Sequence, residues 1–527
     1  MSSDELSTIA QKAARGGLFL FIGNASSTVI LAVGIIIVAR LLGPSSYGLY
    51  TLAVVIPTLL ISLSDAGMNY ALVRYPAMLR AAGDRARASR LIRLGFLVKL
   101  AMSAIAFLVC YAGSSQIATV VLNRPELAPF LQLASLLIIF QAIFDATTNS
   151  FIGQDLMQCS ATVQIMQAIL KGTLGPVLVL IGLGIGGALW GYVLALAAAG
   201  LTGAAVLFTR YARRSQQTGD SVSMELRELL GYSLPLYIAS ILGVFLTQYQ
   251  SIVLAHFASN VEIGNFGATW NFTAFMSILV YPITTAMFPM FAKMDPKSQR
   301  SDLARGFVLA VKYTSLLMAP ASVAVMIFSR NLIYLVYGSG YTFAPQYLVL
   351  LSAIYLLSVI GGYVLGTFLN GLAETGIVVT MSVLTLAIYL PLGPALTWLR
   401  GPDGLLVAYI VANAISTIYG VRQISVKFDV RPDLKGGRRT LLAALAGAVP
   451  TIALIQFDRM GVGAFNLIVG GLVYLLVYLT LAPVLRAVEE QDILNLRGLL
   501  GGTQVVARLL RPVFDYELKL LSAMRRQ

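Results

Sequence analysis

The chain has few of the residues on which soluble enzymes depend. Only 11% of its 527 residues are charged, 58% are hydrophobic, and the mean hydropathy is +0.82. A soluble domain carries about 25% charged residues, so this composition excludes a water-soluble enzyme and a disordered chain. Two cysteines and one histidine are too few for a disulfide framework or for a cysteine- and histidine-rich metal site.

Long apolar runs take the place of polar surface in this sequence. A helix crosses the hydrocarbon core of a bilayer with about 20 residues, and apolar runs of this length recur between charged or turn-forming segments. We therefore predict an all-α, polytopic membrane protein with about fourteen transmembrane helices. The predicted spans are approximately 17–40, 46–66, 92–113, 127–150, 161–182, 186–209, 231–256, 263–290, 305–328, 344–369, 376–398, 403–421, 440–457 and 463–485.

The cations lie almost entirely on one side of these predicted spans. Of the 37 lysines and arginines, 29 fall in the two tails and the even-numbered connections, five in the odd-numbered connections and three inside spans. This asymmetry obeys the positive-inside rule and predicts that both termini are cytoplasmic. Topology and contact with anionic lipid headgroups thus account for the net charge of +14, and we expect no nucleic-acid partner.

A weak internal repeat runs through the sequence. Residues 39–50 resemble residues 255–266 at a shift of 216, and the same shift takes Ala128–Pro129 onto Ala344–Pro345. One offset that serves separate places predicts two six-helix pseudo-repeats. Because six is even, both repeats would have the same orientation, as in parallel-repeat transporters. Two extra C-terminal helices then follow the second repeat.

These features predict five segments. An N-terminal six-helix bundle, 1–209, is joined by a cytoplasmic linker, 210–230, to a C-terminal six-helix bundle, 231–421. The two extra transmembrane helices occupy 440–485. Apolar residues then recur at helical spacing among charges over 486–527, so we expect a cytoplasmic amphipathic tail on the inner membrane surface, with a frayed, solvated tail as the alternative.

Lysines inside the predicted spans are the first candidates for a functional site. The chain has no nucleotide-binding or metalloprotease motif, and we expect no catalytic residue, no cofactor and no metal. Ionisable side chains are costly in lipid and usually face a partner or a cavity. Lys171 lies near the middle of the fifth span, whereas Lys99 and Lys312 lie nearer the inner ends of theirs, from which a lysine can also snorkel to the headgroups.

Two carboxylates and one arginine lie near these lysines in the predicted topology. Asp145, about one turn from the inner end of its span, is able to pair with Lys171 or with Lys99, and the sequence leaves both pairings open. Asp65 and Arg74 close the second span and are near enough to pair. We take Asp145 and Asp65 as candidates for ion coupling.

Polar amides on the first and seventh predicted helices are weaker candidates. Asn24 lies on the first helix, and Gln248 and Gln250 lie on the seventh. Such groups need hydrogen-bond partners in lipid. Because the first and seventh helices of a duplicated bundle commonly face its central cavity, we expect these side chains to line it.

Three segments resemble one transporter family. Arg40–Ala53, with the sequence RLLGPSSYGLYTLA, resembles the first outer turn of the polysaccharide-transporter branch of the MOP superfamily, whose members include O-antigen and oligosaccharide flippases. Asp65–Arg74 resembles the segment after the second helix of that branch, and Pro282–Phe291 resembles its eighth-helix region. The resemblance covers the chain to about residue 485.

That resemblance implies a flippase in the cytoplasmic membrane of a prokaryote. Its substrate would be a polyprenyl-pyrophosphate-linked oligosaccharide, moved by alternating access for surface polysaccharide or glycoprotein assembly. Cations would offset the charge of the pyrophosphate, so Lys171, Lys99, Lys312 and Arg74 are the substrate-binding candidates. The implied partners are the lipid-linked oligosaccharide, membrane lipid, and glycan polymerases or glycosyltransferases.

Two other functions stay open. A cation-coupled multidrug antiporter of the same superfamily would need a deep acidic residue, for which Asp145 is the candidate. A non-transporting scaffold for glycan assembly is disfavoured by the duplication and by Lys171, because a scaffold gains nothing from an expensive buried charge.

Overall fold

The described part of the chain is almost entirely helical. The computed structural model describes residues 3–211, 237, 241, 243–296, 298–457, 463–500 and 504–524, and no strand occurs among them. Most of the predicted linker 210–230, the start of the predicted span 231–256 and six residues of the tail, 501–503 and 525–527, lie outside the described residues. The predicted all-α architecture is confirmed.

Eight helices among the described residues are long and apolar enough to cross a membrane, and a bent pair of helices is a ninth candidate. Three of the eight are more than twice as long as the roughly 20 residues that one crossing needs. These three are Gly23–Ala81, Met157–Arg210 and Thr375–Phe428. Each contains a break at a predicted connection, at Gly43, Gly182 or Gly401, whose positive φ favours glycine. The chain is a multi-pass membrane protein, and its fourteen crossings stay a prediction.

The helices form two compact units, here called unit 1 (Met1–Gly267) and unit 2 (Ala268–Gln527). Unit 1 contains α1 (Ser3–Asp65), α2 (Met68–Ala81), α3 (Arg85–Ala112), α4 (Ala128–Gly153), α5 (Met157–Leu178), α6 (Gly184–Val206), a helical stretch over 243–257, and most of α7 (Asn260–Trp270). Unit 2 contains α8 (Phe272–Lys293), α9 (Arg300–Ile327), α10 (Ala344–Ala353), α11 (Leu365–Gly371), α12 (Thr375–Phe428), α13 (Leu434–Phe457), α14 (Ala464–Val484), α15 (Glu490–Leu500) and α16 (Gln504–Met524). The units divide at a different place from the predicted bundles, whose boundaries stay predictions.

Small residues bring the helices of unit 1 close together. A Cβ on Gly34 of α1 would overlap with the backbone of Gly172 in α5, and a Cβ on Gly191 of α6 would overlap with Gly175 of α5. In lipid, helices associate through van der Waals contact, and small residues at the interface let the two backbones approach closely. Glycines therefore allow the close packing of α1, α5 and α6 in unit 1.

The two copies of the repeated segment contact each other inside unit 1. A Cβ on Gly48 would overlap with the carbonyl oxygen of Asn260, and a Cβ on Gly264 would overlap with the carbonyl oxygen of Pro44. Pro44 and Asn260 differ by the same 216 positions as Gly48 and Gly264. The contact is therefore reciprocal, as a local two-fold relation between duplicated segments requires.

The tail of unit 2 packs on its last two membrane helices. Ile493 of α15 and Phe514 of α16 are buried in one apolar cluster with Tyr474 and Tyr478 of α14. The tail is helical in α15 and α16, and part of its apolar face covers protein, because Phe514 is buried in a cluster that contains apolar residues of α13 and α14. Its placement on a membrane surface stays a prediction.

Candidate functional site

A polar cavity of about 570 Å³ lies in unit 1. Its walls come from the end of α1, from α2, from the second half of α4 and from Tyr237, Ile241 and Val244. The polar side chains that line it are Ser62, Asp65, Asn69, Tyr70, Arg74, Asp145, Asn149 and Tyr237. Three of the residues predicted from the sequence, Asp65, Arg74 and Asp145, thus meet in one cavity.

The ammonium group of Lys99 lies behind this lining and links its carboxylates. Lys99 Nζ donates to Asp65 Oδ1 at 2.7 Å and lies 3.7 Å from Asp145 Oδ2, and it also donates to Asn69 Oδ1. Only 3% of the Lys99 side chain is exposed, against 15% for Asp65 and 22% for Asp145. A buried ammonium this well paired does not need to snorkel to the headgroups.

Amide side chains complete the hydrogen bonding of the cluster. Asn149 Nδ2 donates to Asn69 Oδ1 at 3.1 Å, and Gln141 Nε2 donates to Asp145 Oδ1 at 2.8 Å. Together with the contacts of Lys99, these bonds hold both carboxylates and Asn69 in fixed orientations. A polar network in an apolar surround is stable only when its members find such partners.

Local backbone geometry explains why α1 and α2 contribute neighbouring groups. The chain turns between the two helices at Ala66 and Gly67, which have φ values of 46° and 76°. Asp65 ends α1 and Asn69 lies in the first turn of α2, so both face Lys99 across a short turn. A Cβ on Gly153, at the end of α4, would overlap with the Leu72 carbonyl oxygen, so α4 packs directly on α2.

The charges of the cluster almost balance. With Lys99 protonated and both carboxylates ionised, the three groups carry one net negative charge, which Arg74 in the same cavity offsets. Arg74 is exposed, and its guanidinium group is suited to bidentate contact with phosphate oxygens. The cavity is therefore able to bind an anion at Arg74 and to exchange a proton or a small cation at Asp65 and Asp145.

Lys171, the first candidate from the sequence, lies at a different place in unit 1. Its Nζ lies 3.2 Å from the centroid of the Tyr192 ring, and it borders a separate small space beside Gly34 and Tyr50. Among the described residues no carboxylate lies within ion-pair distance of it. Of the two pairings that the sequence left open for Asp145, the structure contains the one with Lys99.

The remaining candidates lie outside the cavity. Lys312 is in unit 2, where its Nζ lies 2.6 Å from Asp492 Oδ2 of α15. Asn24 is exposed on α1, and Gln248 is half-buried. Gln250 is 2% exposed, and its Nε2 has no hydrogen-bond partner among the described residues.

Sequence reasoning missed the amides of the cluster, although the sequence contains a signal for them. Gln141, Asp145 and Asn149 are spaced by four residues along α4. Side chains at this spacing share one helix face. A polar stripe on one face of an apolar span indicates a site that no single residue reveals.

No metal site accompanies this cluster. Within the described ranges, no group of three histidine, cysteine, aspartate or glutamate side chains comes together as potential metal ligands.

Two known proteins of similar sequence are named for the biosynthesis of glycan or lipopolysaccharide. The probable low-salt glycan biosynthesis flippase of Haloferax volcanii is 23% identical over 276 residues, which are 51% of this chain and 57% of the relative. The chain thus spans less than two thirds of that relative. The lipopolysaccharide biosynthesis protein of Escherichia coli K12 is 23% identical over 433 residues, or 80% of this chain and 82% of the relative.

Two solved transporter structures have a similar fold. The lipid II flippase in its inward closed conformation has a TM-score of 0.68 at 13% identity and covers 89% of this chain and 98% of its own. An inward-facing multidrug resistance transporter of the MATE family, in the MOP superfamily, has a TM-score of 0.63 at 16% identity and covers 80% of this chain and 96% of its own. At such identities the likeness shows the fold alone.

The family comparison covers the cavity helices and both copies of the repeated segment. The sequence model of the polysaccharide biosynthesis protein family matches residues 13–295, just over half of the chain. This match over more than half of the sequence assigns the chain to a family: it belongs to the polysaccharide biosynthesis protein family.

Proposed function

We propose that this protein is a flippase that moves a polyprenyl-pyrophosphate-linked oligosaccharide from the inner to the outer leaflet of the cytoplasmic membrane. The observation that carries this proposal is the cavity of unit 1, where Arg74 and the Lys99 cluster lie in a multi-pass membrane protein. Relatives named as a glycan biosynthesis flippase and a succinoglycan biosynthesis transport protein support the same substrate class.

Arg74 and Lys99 have different roles in this proposal. Arg74 is exposed and binds pyrophosphate oxygens directly. Lys99 is held by Asp65 and Asp145, so its charge becomes available to an anion only when a carboxylate is protonated or displaced. Protonation of Asp145, the more exposed of the two carboxylates, would weaken the Lys99 pair and favour binding of the pyrophosphate. Substrate binding and proton binding would then be coupled at one site.

A cation-coupled antiporter is the second candidate function. The observation that favours it is the pair of carboxylates, Asp65 and Asp145, at the cavity. If Arg74 pairs elsewhere during transport, the remaining cluster carries a net negative charge and attracts organic cations. The MATE-like fold is compatible with this reading.

The topology and the partners belong to the same proposal. Both termini lie in the cytoplasm, as the cation asymmetry indicates, and the substrate passes to the glycan polymerases or glycosyltransferases that use it. The protein itself has no catalytic role in this scheme.

Leaflet transfer in proteoliposomes separates the two functions. The purified chain is reconstituted with a fluorescent polyprenyl-pyrophosphate-linked oligosaccharide, and transfer is followed by quenching of the outer leaflet. We expect transfer above that of protein-free vesicles and an increase with an imposed proton gradient. Efflux of a fluorescent organic cation without lipid transfer would instead establish the antiporter.

A further inference from the structure

A second cavity, of about 730 Å³, lies within unit 2. It is bordered by α8, by Tyr355 in the helical stretch that follows α10, and by residues just before and within α11. Its described lining contains Tyr355, Tyr363, Thr367 and Asn370, and none of its described lining residues is an aspartate, glutamate, lysine or arginine. A ligand of this cavity therefore has to be recognised without charge.

The backbone beside this cavity breaks inside an apolar span. A tight helical stretch, Ile354–Ile360, ends at Gly361, whose φ is 94°, and the two parts of the span are bent by 47°. Broken backbone at membrane depth leaves polar groups that lipid cannot satisfy, so it is tolerated where it is buried in protein or lines a water-filled cavity. In transporters such discontinuous helices typically form substrate sites.

Two aromatic rings form part of the wall. Tyr355 and Tyr363 are stacked, with ring centroids 5.7 Å apart and planes inclined by 19°. The face of an aromatic ring carries partial negative charge, so it attracts the weakly positive C–H groups on the face of a sugar ring. Tyr363 is half-buried, and it is therefore the ring that a ligand reaches more easily.

The cavity also contains free hydrogen-bonding capacity. Among the described residues, the side chains of Tyr355, Tyr363, Thr367 and Asn370 have no hydrogen-bond partner. Each contributes a hydroxyl or amide group that both donates and accepts. A ligand rich in hydroxyl groups matches this pattern.

Other ligand classes fit less well. A phosphate needs cations or several backbone N–H donors, and the described lining has no cation. A polyprenyl chain would leave Thr367 and Asn370 desolvated without partners, which costs free energy. A neutral sugar satisfies both the ring face and the polar groups.

We propose that the cavity of unit 2 binds neutral sugar residues of the transported glycan, which stack on Tyr363 and bond to Thr367 and Asn370. This assignment rests on the proposed flippase function and adds a glycan subsite to it. The charged cavity of unit 1 then recognises the pyrophosphate, and the neutral cavity of unit 2 recognises the sugar.

Binding by the purified full chain tests this division with two probes. One probe is polyprenyl pyrophosphate, and the other is the same lipid carrying a neutral disaccharide of N-acetylglucosamine. We expect the glycosylated lipid to bind more tightly than the bare lipid. Tyr363→Ala should raise the dissociation constant of the glycosylated lipid roughly tenfold. The same substitution should leave the affinity for bare lipid within about twofold, because that probe makes no sugar contact.

Two controls keep the result interpretable. Tyr419→Ala removes a half-buried tyrosine of the same unit that does not line the cavity and should change neither affinity. If Tyr363→Ala does not fold, Asn370→Ala tests the same site, because Asn370 is exposed at the cavity and its truncation leaves the core intact.

The outcomes separate this inference from the flippase itself. If bare lipid binds and the gain from the sugar survives both Tyr363→Ala and Asn370→Ala, the glycan subsite is wrong and the flippase stands. If the wild type binds neither lipid, the flippase proposal fails. A third probe, the organic cation tetraphenylphosphonium, tests the alternative. If Tyr363→Ala abolishes binding of this cation but leaves the higher affinity for the glycosylated lipid unchanged, the cavity is an aromatic cation site and the inference is overturned.

Discussion

Lys99 and Lys312 occupy similar places in the two predicted repeats, yet their partners differ. In unit 1, Lys99 pairs with Asp65 and Asp145, which both line a cavity. In unit 2, Lys312 pairs with Asp492, which belongs to the tail after the last membrane helix. The same residue type therefore orders a candidate transport site in one unit and fixes the tail in the other.

The cavities of the two units also differ, because the unit 1 cavity is lined by charged residues and the described lining of the unit 2 cavity has none. The repeat offset of 216 takes Asp145 onto Gly361, where the span of unit 2 breaks beside its neutral cavity. A carboxylate in one copy thus corresponds to a helix break in the other. Duplicated helices with different polar residues thus produce one charged cavity in unit 1 and one neutral cavity in unit 2.

Removal of the Lys99 ammonium should reduce stability and transport more than any other substitution considered for the two units. Lys99→Met leaves two buried carboxylates close together, so we expect a loss of about 3–5 kcal/mol in the free energy of unfolding and a transport rate reduced by about a hundredfold or more. Adding Asp65→Asn should restore part of the stability. Thermal unfolding and leaflet transfer measure these effects, and Lys312→Met is the matched control, which should keep transport. Equal transport losses in the two single variants would contradict the difference between the lysines.

Arg74→Ala should weaken substrate binding without unfolding the protein. Arg74 is exposed, and the loss of charge-assisted hydrogen bonds worth about 1.5–3 kcal/mol corresponds to a roughly 10- to 100-fold lower affinity for polyprenyl pyrophosphate. Arg74→Lys should recover only part of it, because an ammonium cannot make the bidentate contact. Direct binding measurements test both variants. An unchanged affinity in Arg74→Ala would contradict the proposal that the pyrophosphate binds in the unit 1 cavity.

The docking of the tail of unit 2 should depend on pH. Burial, with a further contribution from Asp492, raises the pKa of Glu517 to about 7. Its protonated form is therefore favoured in the docked tail, so docking is strongest at low pH and weakens as the pH rises through about 7. Hydrogen exchange over residues 511–524 should be faster at pH 8 than at pH 6. Glu517→Gln should abolish this difference, and a difference that persists in the variant would exclude Glu517 as its origin.

Lys171→Met should have the smallest effect. Its ammonium lies over the Tyr192 ring and outside the cavity, and a single cation–π contact is worth about 0.5–2 kcal/mol. We expect some loss of thermal stability and a transport rate within about fivefold of the wild type. Loss of transport with unchanged thermal stability would instead indicate that Lys171 contacts the substrate during transport.

Much of the fold could be predicted from the sequence, because lipid imposes simple constraints on helices. Apolar runs of spanning length predicted the helices, and the breaks at Gly43, Gly182 and Gly401 fall at predicted connections. The repeat was visible as a common offset, and the reciprocal contact of Gly48 and Gly264 agrees with it.

The site could be predicted only in part. Asp65, Arg74 and Asp145 were identified as costly charges in or near apolar spans, and all three line the cavity. The environment of Lys171 depends on how α5 is rotated against α6, and the partner of Lys312 depends on docking of the tail. Neither leaves a signal in the sequence near the lysine concerned.

Photo-crosslinking of the substrate would test the central claim most directly. The probe is a lipid-linked oligosaccharide with a photoreactive group beside its pyrophosphate, bound to the full chain in a bilayer and competed with excess polyprenyl pyrophosphate. The account predicts competed crosslinks within residues 61–74 and 141–149, the walls of the charged cavity. Competed crosslinks confined to the neutral cavity of unit 2, or to the surroundings of Lys171, would contradict it.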